Sequence, residues 1–183
     1  GFMLEDGRRN LRLWDEQRLT TWFDEFLPSL DLENPAVVDL QIDSTMYWIQ
    51  KFDLDGFRHD ATKHIPLDFW RKLTRRLKEE RVSKGKKVYQ IGETYGSRDL
   101  VNSYIGSGLL DSQFDFNLYF DSRSSFALQE PSMQVVADAL EQSLSYYGHH
   151  NTMGYMTGNH DQARFISYAG GALRMDEDPR AAG

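Results

Sequence analysis

Cysteine is missing from all 183 residues, so neither a disulfide framework nor a thiolate metal centre can form, and the redox compartment stays open. Long apolar runs are missing as well. No stretch approaches the ~20 residues that a membrane-spanning helix needs, and the opening Gly1-Phe2-Met3-Leu4-Glu5-Asp6-Gly7 lacks the charged-then-apolar layout of a signal peptide. Positive charge is in short supply: 21 Lys and Arg against 28 Asp and Glu leave a net charge of -7. That balance argues against a general affinity for nucleic-acid phosphates or anionic membranes and favours neutral or cationic partners. Internal repeats and low-complexity linkers are absent too, and with no initiating methionine the chain reads as the middle of a longer one.

What is present suits a packed core. A content of 40% hydrophobic and 13% aromatic residues in a chain of this length fits one globular domain. From Asn10 to Leu32 the periodicity is mixed, and Trp14, Trp22, Phe23 and Phe26 read as core or docking residues. Pro28 discourages a helix there. Asn34-Pro35 then forms a cap and first-turn pair, followed by Val38, Ile42, Met46 and Ile49 at helical spacing, which predicts an amphipathic helix to about Phe52.

Leu54 to Asp60 is short and glycine-marked, the pattern of a buried strand. Pro66 opens a second helix with Phe69, Leu73 and Leu77 on one face; the basic residues from Arg71 to Lys87 form a solvated face, and Gly85 ends it. Val88 to Gly92 is a second strand, closing on Glu93-Thr94. A helix after Ser97 buries Leu100, Val101, Tyr104 and Ile105. Leu109 to Phe116 is a third candidate strand, Pro131 to Tyr147 an amphipathic helix with Val135, Ala139, Leu140 and Leu144, and Thr152 to Thr157 a fourth strand running into Gly158-Asn159-His160-Asp161.

Strands that alternate with helices imply an α/β fold with a parallel sheet and right-handed crossovers. Three of these strands end in polar residues: Arg58 with Asp60, Glu93, and His160 with Asp161. In parallel α/β architectures, and above all in the (β/α)8 barrel, the C-terminal strand ends line the active site. Arg58 and Asp60 are two residues apart in a strand, so both side chains lie on one face. Taken alone, this pair reads equally well as a surface ion pair. Three converging carboxylates suggest more. Two of them across a glycosidic bond suffice for retaining hydrolysis, one attacking the anomeric carbon while the other protonates the departing oxygen, at a separation of about 5 to 5.5 Å. Arg58 favours an ionised Asp60, and the apolar run before Glu93 favours a protonated one there.

Gly56-Phe57-Arg58-His59-Asp60-Ala61-Thr62-Lys63-His64 resembles the nucleophile motif of the alpha-amylase family, glycoside hydrolase family 13. Gly92-Glu93-Thr94 resembles its acid/base motif, Gly158-Asn159-His160-Asp161 its third-carboxylate motif, and Leu27-Pro28-Ser29-Leu30 the short signature at the exit of the domain that interrupts its barrel. One such motif is weak; the set in this order and spacing is specific. The bacterial starch-degrading amylases are the most similar branch.

The resemblance implies a partial TIM (β/α)8 barrel, approximately the fourth to seventh β/α units. Residues 1–32 would be the exit of the interrupting domain and lead-in, and residues 33–183 the partial catalytic barrel. It implies Asp60 as nucleophile, Glu93 as general acid and then base, and Asp161 as the residue that grips the sugar hydroxyls. Arg58 would orient Asp60, and His160 would hydrogen-bond the sugar being cleaved. Lys63 and His64 match positions that meet the leaving-group sugars, and the His64 backbone carbonyl matches a ligand of structural calcium; against that, Lys63 could be simply solvated and His64 could cap the next helix. The implied substrate is an alpha-glucan or maltooligosaccharide, with no organic cofactor. Digestion of a polymer further implies export, to the exterior, the cell surface or the periplasm.

The full family fold needs eight units and about 250 residues, so a fragment of a larger enzyme is expected, with the early calcium and substrate motif lacking and Met175 to Gly183 stopping short of an eighth strand. Transglycosylases and isomerising enzymes of the family share all three carboxylates. A non-catalytic barrel kept for binding is a further alternative, against which the retention of Asp60, Glu93 and Asp161 weighs; an unrelated α/β metalloenzyme is another, disfavoured by the scarcity of histidine clusters.

Overall fold

The computed structural model describes residues 10–22, 26–127 and 132–171. Phe23, the opening Gly1 to Gly7, Pro131 and the end from Met175 lie outside the described residues. The chain divides into two compact units, Gly1–Gln90 and Ile91–Gly183.

In the first unit, α1 (Leu11–Glu16) is capped by Asn10, whose side chain accepts from the Leu13 N–H at 3.1 Å. α2 (Pro35–Phe52) starts where the cap signal put it: the Asn34 side chain accepts from the Ala36 N–H at 3.0 Å, and Pro35 occupies the first turn, where its missing donor costs nothing. Val38, Ile42, Met46 and Ile49 are all buried, the stripe their spacing predicts. β1 (Gly56–His59) follows, then α3 (Leu67–Glu80) with Phe69, Trp70, Leu73 and Leu77 inside. Each of those large side chains contributes roughly 1.5–3 kcal/mol through burial.

Two expectations need correction here. α3 stops at Glu80 rather than Gly85, and a 3-10 turn (Val82–Lys84) closes on Gly85 at φ +80. Arg81 therefore sits past the helix and off its solvent face; it is buried and paired with Asp53, which also holds Lys86 at 2.6 Å. Trp22 and Phe26, read as core or docking residues, are 56% and 76% exposed and so lie outside the core, beyond the end of α1 at Glu16. Trp14 is half-buried.

β2 (Tyr89–Gly92) carries the chain into the second unit, where Ile91 and Gly92 pair in parallel with Ser112 and Gln113 of β3 (Ser112–Gln113). The strand order is β1-β2-β3. Ser97 caps α4 (Arg98–Asn102), and Val101 and Tyr104 are buried as expected. Val101, Tyr147 and Met153 form one cluster with Ile105 beside it.

The third strand is much shorter than Leu109 to Phe116. Asp115 is buried and its carboxylate accepts from the Leu118 N–H at 3.0 Å, so the chain turns into α5 (Phe116–Ala127), a helix the apolar spacing did not reveal. In α6 (Met133–Tyr147) the buried side is Ala139, Ser143 and Tyr147, whereas Leu140 is exposed; Ser143 faces inward because its hydroxyl donates to Asp115. The fourth strand reduces to one parallel bridge, Phe114 with Gly154, made by Gly154 N–H to Gln113 O at 2.9 Å and Asp115 N–H to Gly154 O at 3.0 Å. Only glycine fits there, since a Cβ would lie 2.6 Å from the Ile91 and Phe114 side chains. α7 (Phe165–Ala169) completes the described elements.

Candidate active site

Asp60 leaves β1 at its C-terminal end and turns at once, because Ala61 adopts a left-handed conformation at φ +45. A non-glycine residue there stores strain on the order of 1 kcal/mol, the kind that collects where a side chain must be aimed. Arg58 Nη1 meets Asp60 Oδ1 at 2.5 Å, so the same-face expectation holds. The Asp60 side chain remains 73% exposed while that of Arg58 is 33% exposed, which places a wet carboxylate over a partly sheltered guanidinium. Both line a cavity of about 690 Å³ whose walls include Trp48, Phe57, His64 and Trp70.

Lys63 and His64 lie in the 3-10 turn Thr62–His64 that follows. Lys63 is buried, not solvated: its ammonium pairs with Asp15 at 2.5 Å and stands over the Trp14 ring at 5.7 Å. His64 does not cap α3, which begins after Pro66 without a side-chain cap. Its ring packs on Trp14 at 4.5 Å, and Nδ1 donates to the Arg18 carbonyl at 3.3 Å, since a carbonyl can only accept. Burial pulls its pKa down to about 4. Arg18 Nε also donates to the Lys63 carbonyl at 2.8 Å. Among the described residues no group of three or more His and acidic side chains is placed to hold a metal. No step below runs through calcium.

Within the second unit Glu93 follows β2 and is buried at 7% exposure. Asp161 lies beyond the Gly154 bridge, in a turn closed by its own N–H donating to Asn159 Oδ1 at 2.9 Å. His160 Nε2 is 3.2 Å from Asp161 Oδ2, and both side chains are exposed. Tyr95 lies two residues after Glu93; burial is the first cause of its raised pKa, followed by the charge of Glu93, the neighbouring Tyr119 and the charge of Asp161.

Residues 8–181 match the family described as alpha amylase, catalytic domain. The chain belongs to the alpha-amylase family. Among curated alpha-amylases, it is 32% identical over 139 residues to alpha-amylase 2 of Schizosaccharomyces pombe, covering 75% of this chain and 22% of that protein. It is 26% identical over 167 residues to alpha-amylase 2 of Dictyoglomus thermophilum, covering 89% and 29%. Among solved structures, the alpha-amylase of Geobacillus thermoleovorans superposes with a TM-score of 0.75 at 29% identity, over 85% of this chain and 34% of that one. The chain thus spans between about a fifth and a third of the length of these relatives. The fold is part of the TIM barrel of these alpha-amylases, and the family is one of glycoside hydrolases.

Several alpha-amylase site neighbours escape sequence reasoning. His59 beside Asp60 is neutral, its pKa lowered to about 4 by burial, with Nε2 at 3.1 Å from Gln90 Oε1 and Gln90 in turn donating to Thr74 at 2.9 Å. Asp15, Trp14 and Arg18 fold against Lys63 and His64 from 45 to 50 positions upstream, too far for any spacing signal. The same is true of Gln162, which donates to the Tyr95 hydroxyl across 67 positions at 2.5 Å.

Proposed function

We propose that the protein carrying this chain is a retaining glycoside hydrolase that cleaves alpha-1,4-glucosidic bonds in starch or maltooligosaccharides. The observation that carries this reading is the oriented pair at the end of β1, Arg58 against Asp60 at 2.5 Å on the rim of a roomy cavity, in a chain of the alpha-amylase family. Asp60 attacks the anomeric carbon as the glycosidic C–O bond breaks, and Glu93 delivers its proton to the departing oxygen. Glu93, now a base, takes a proton from water; the water oxygen attacks the same carbon and releases Asp60. Arg58 fixes the direction from which Asp60 attacks. Asp161 and His160, exposed and adjacent, bind hydroxyls of the sugar whose ring flattens toward the oxocarbenium ion. The half-buried His64, on the cavity wall, meets the leaving-group sugars, whereas Lys63 acts through the turn it anchors by way of Asp15.

The Geobacillus thermoleovorans alpha-amylase was solved in complex with acarbose, and another relative is a cyclomaltodextrinase; both relatives support an alpha-glucan substrate. The direct test is Glu93→Gln in the full-length enzyme assayed on maltooligosaccharides. Loss of an acid/base group lowers kcat by roughly 10²–10⁴-fold, and undiminished hydrolysis would refute the assignment. Product analysis on the wild type separates hydrolysis from transfer: transfer products dominating at modest substrate concentration would make the enzyme a transglycosylase.

A further inference from the structure

Arg123 of α5 is a buried cation without a carboxylate partner in any described ion pair that involves it. Its guanidinium is caged by aromatic faces instead, with Tyr168 at 4.4 Å and Tyr119 and Phe120 each at 5.2 Å. Cation–π contacts and a hydrogen bond from Nη1 to the Tyr119 hydroxyl at 3.3 Å hold it in one orientation. The same Nη1 reaches Gln162 Oε1 at 3.5 Å. Because an arginine can only donate, this contact fixes which end of the Gln162 amide is oxygen, and the other end, Nε2, donates to the Tyr95 hydroxyl at 2.5 Å.

Tyr95 is itself clamped, its ring lying 3.9 Å from that of Phe116 and 6.0 Å from that of Phe120. With its oxygen accepting from Gln162, its own proton must point elsewhere. Tyr95 lies two residues after Glu93, so its hydrogen bond with Gln162 ties the segment after Glu93 to that of Gln162. Gln162 also follows Asp161 directly, and its N–H donates to Asn159 O at 3.4 Å, so whatever holds the Gln162 side chain holds the turn that carries Asp161.

We propose that Tyr95 and Gln162, locked by the caged Arg123, are positioning residues that tie the segment after Glu93 to the turn that carries Asp161. This rests on the hydrolase reading above, in which those two carboxylates do the chemistry.

Two near-isosteric variants of the full-length enzyme test it: Tyr95→Phe deletes the hydroxyl that accepts from Gln162, and Gln162→Leu removes both the donor to Tyr95 and the acceptor from Arg123. Each is expected to lower kcat on maltooligosaccharides by roughly 10- to 100-fold, with KM changed far less, and to displace the limb of the pH profile that Glu93→Gln abolishes. The double variant should be no worse than the poorer single one, because both break one relay. Wild-type kcat and an unmoved pH profile in both variants overturn the relay while a dead Glu93→Gln leaves the hydrolase reading intact. A wild-type enzyme inactive on alpha-glucans removes the hydrolase reading instead, and the crystal structure of Gln162→Leu then decides the positioning role: a displaced Asn159 to Asp161 turn supports it, and an unchanged turn overturns it.

Discussion

Replacing Gly56 with alanine is the sharpest structural perturbation available next to the site. A Cβ at this position would lie 1.8 Å from the Tyr89 carbonyl oxygen, with the Tyr89 carbonyl carbon at 2.7 Å and its nitrogen at 2.8 Å. All three are backbone atoms, so no side chain can swing away, and non-bonded carbon contacts need about 3.5 Å. β1 and β2 must therefore part by more than 1 Å here, which breaks the hydrogen bond from Tyr89 N–H to Asp55 O, now 2.8 Å. An orphaned backbone pair costs about 1–3 kcal/mol, and the strain of forced overpacking adds about 1–3 kcal/mol. The sum, about 4 kcal/mol, lowers a urea midpoint by roughly 2 M at an m-value of about 2 kcal/mol/M. Gly108→Ala is the control, since a Cβ there meets nothing within 4 Å. Unfolding of the protein in urea, followed by tryptophan fluorescence, reads both variants. If Gly56→Ala unfolds within error of Gly108→Ala, the close approach of β1 to Tyr89 is wrong. The same shift moves Asp60 at the end of β1, so maltooligosaccharide turnover by Gly56→Ala should fall on the order of 100-fold even where the fold survives.

Two further outcomes follow from the first unit. Arg58→Met should lower turnover by roughly 100-fold yet change the urea midpoint little, because an ion pair to a carboxylate as exposed as Asp60 contributes at most about 1 kcal/mol; an equal loss of stability and activity would contradict the orienting role. His59 is held neutral in the fold with a pKa of about 4 against 6.5 when unfolded. The unfolded chain thus binds the extra proton between those values, so stability is full above pH 6.5 and falls as pH drops toward 4, by about 2 kcal/mol at pH 5. Unfolding midpoints of wild type and His59→Gln measured from pH 7 to 5 should converge as pH falls, and parallel curves would contradict the burial of a neutral imidazole.

The motifs were legible because their information is local. Asn34-Pro35 and the i, i+4 series from Val38 announced α2, and Gly56 to His64 laid out a strand, a turn and the Arg58–Asp60 pair within nine consecutive residues. α5 was not legible. Its inward residues include Arg123 and Ser125, and its start is signalled by Asp115, which reads as strand until its carboxylate is seen to cap Leu118 and accept from Ser143. The solvated alternative for Lys63 fails for a similar reason: a lysine in a polar turn looks solvated, and only Asp15, 48 positions away, explains its burial. The fourth strand failed because the apolar pattern from Thr152 to Thr157 predicts pairing along its length, whereas the only described bridge is at Gly154.

The sequence by itself determined the family and the order of units from α2 through α4, and it singled out the three acidic residues proposed for catalysis, since caps, helical periodicity and contiguous motifs depend on neighbours within a few positions. Tertiary structure decided what surrounds those acids. The neutral state of His59 and His64, the burial of Lys63 against Asp15 and the line from Arg123 through Gln162 to Tyr95 each join residues 31 to 67 positions apart. Desolvation and hydrogen-bond direction at such contacts depend on how the packed chain excludes water, and no local pattern encodes that.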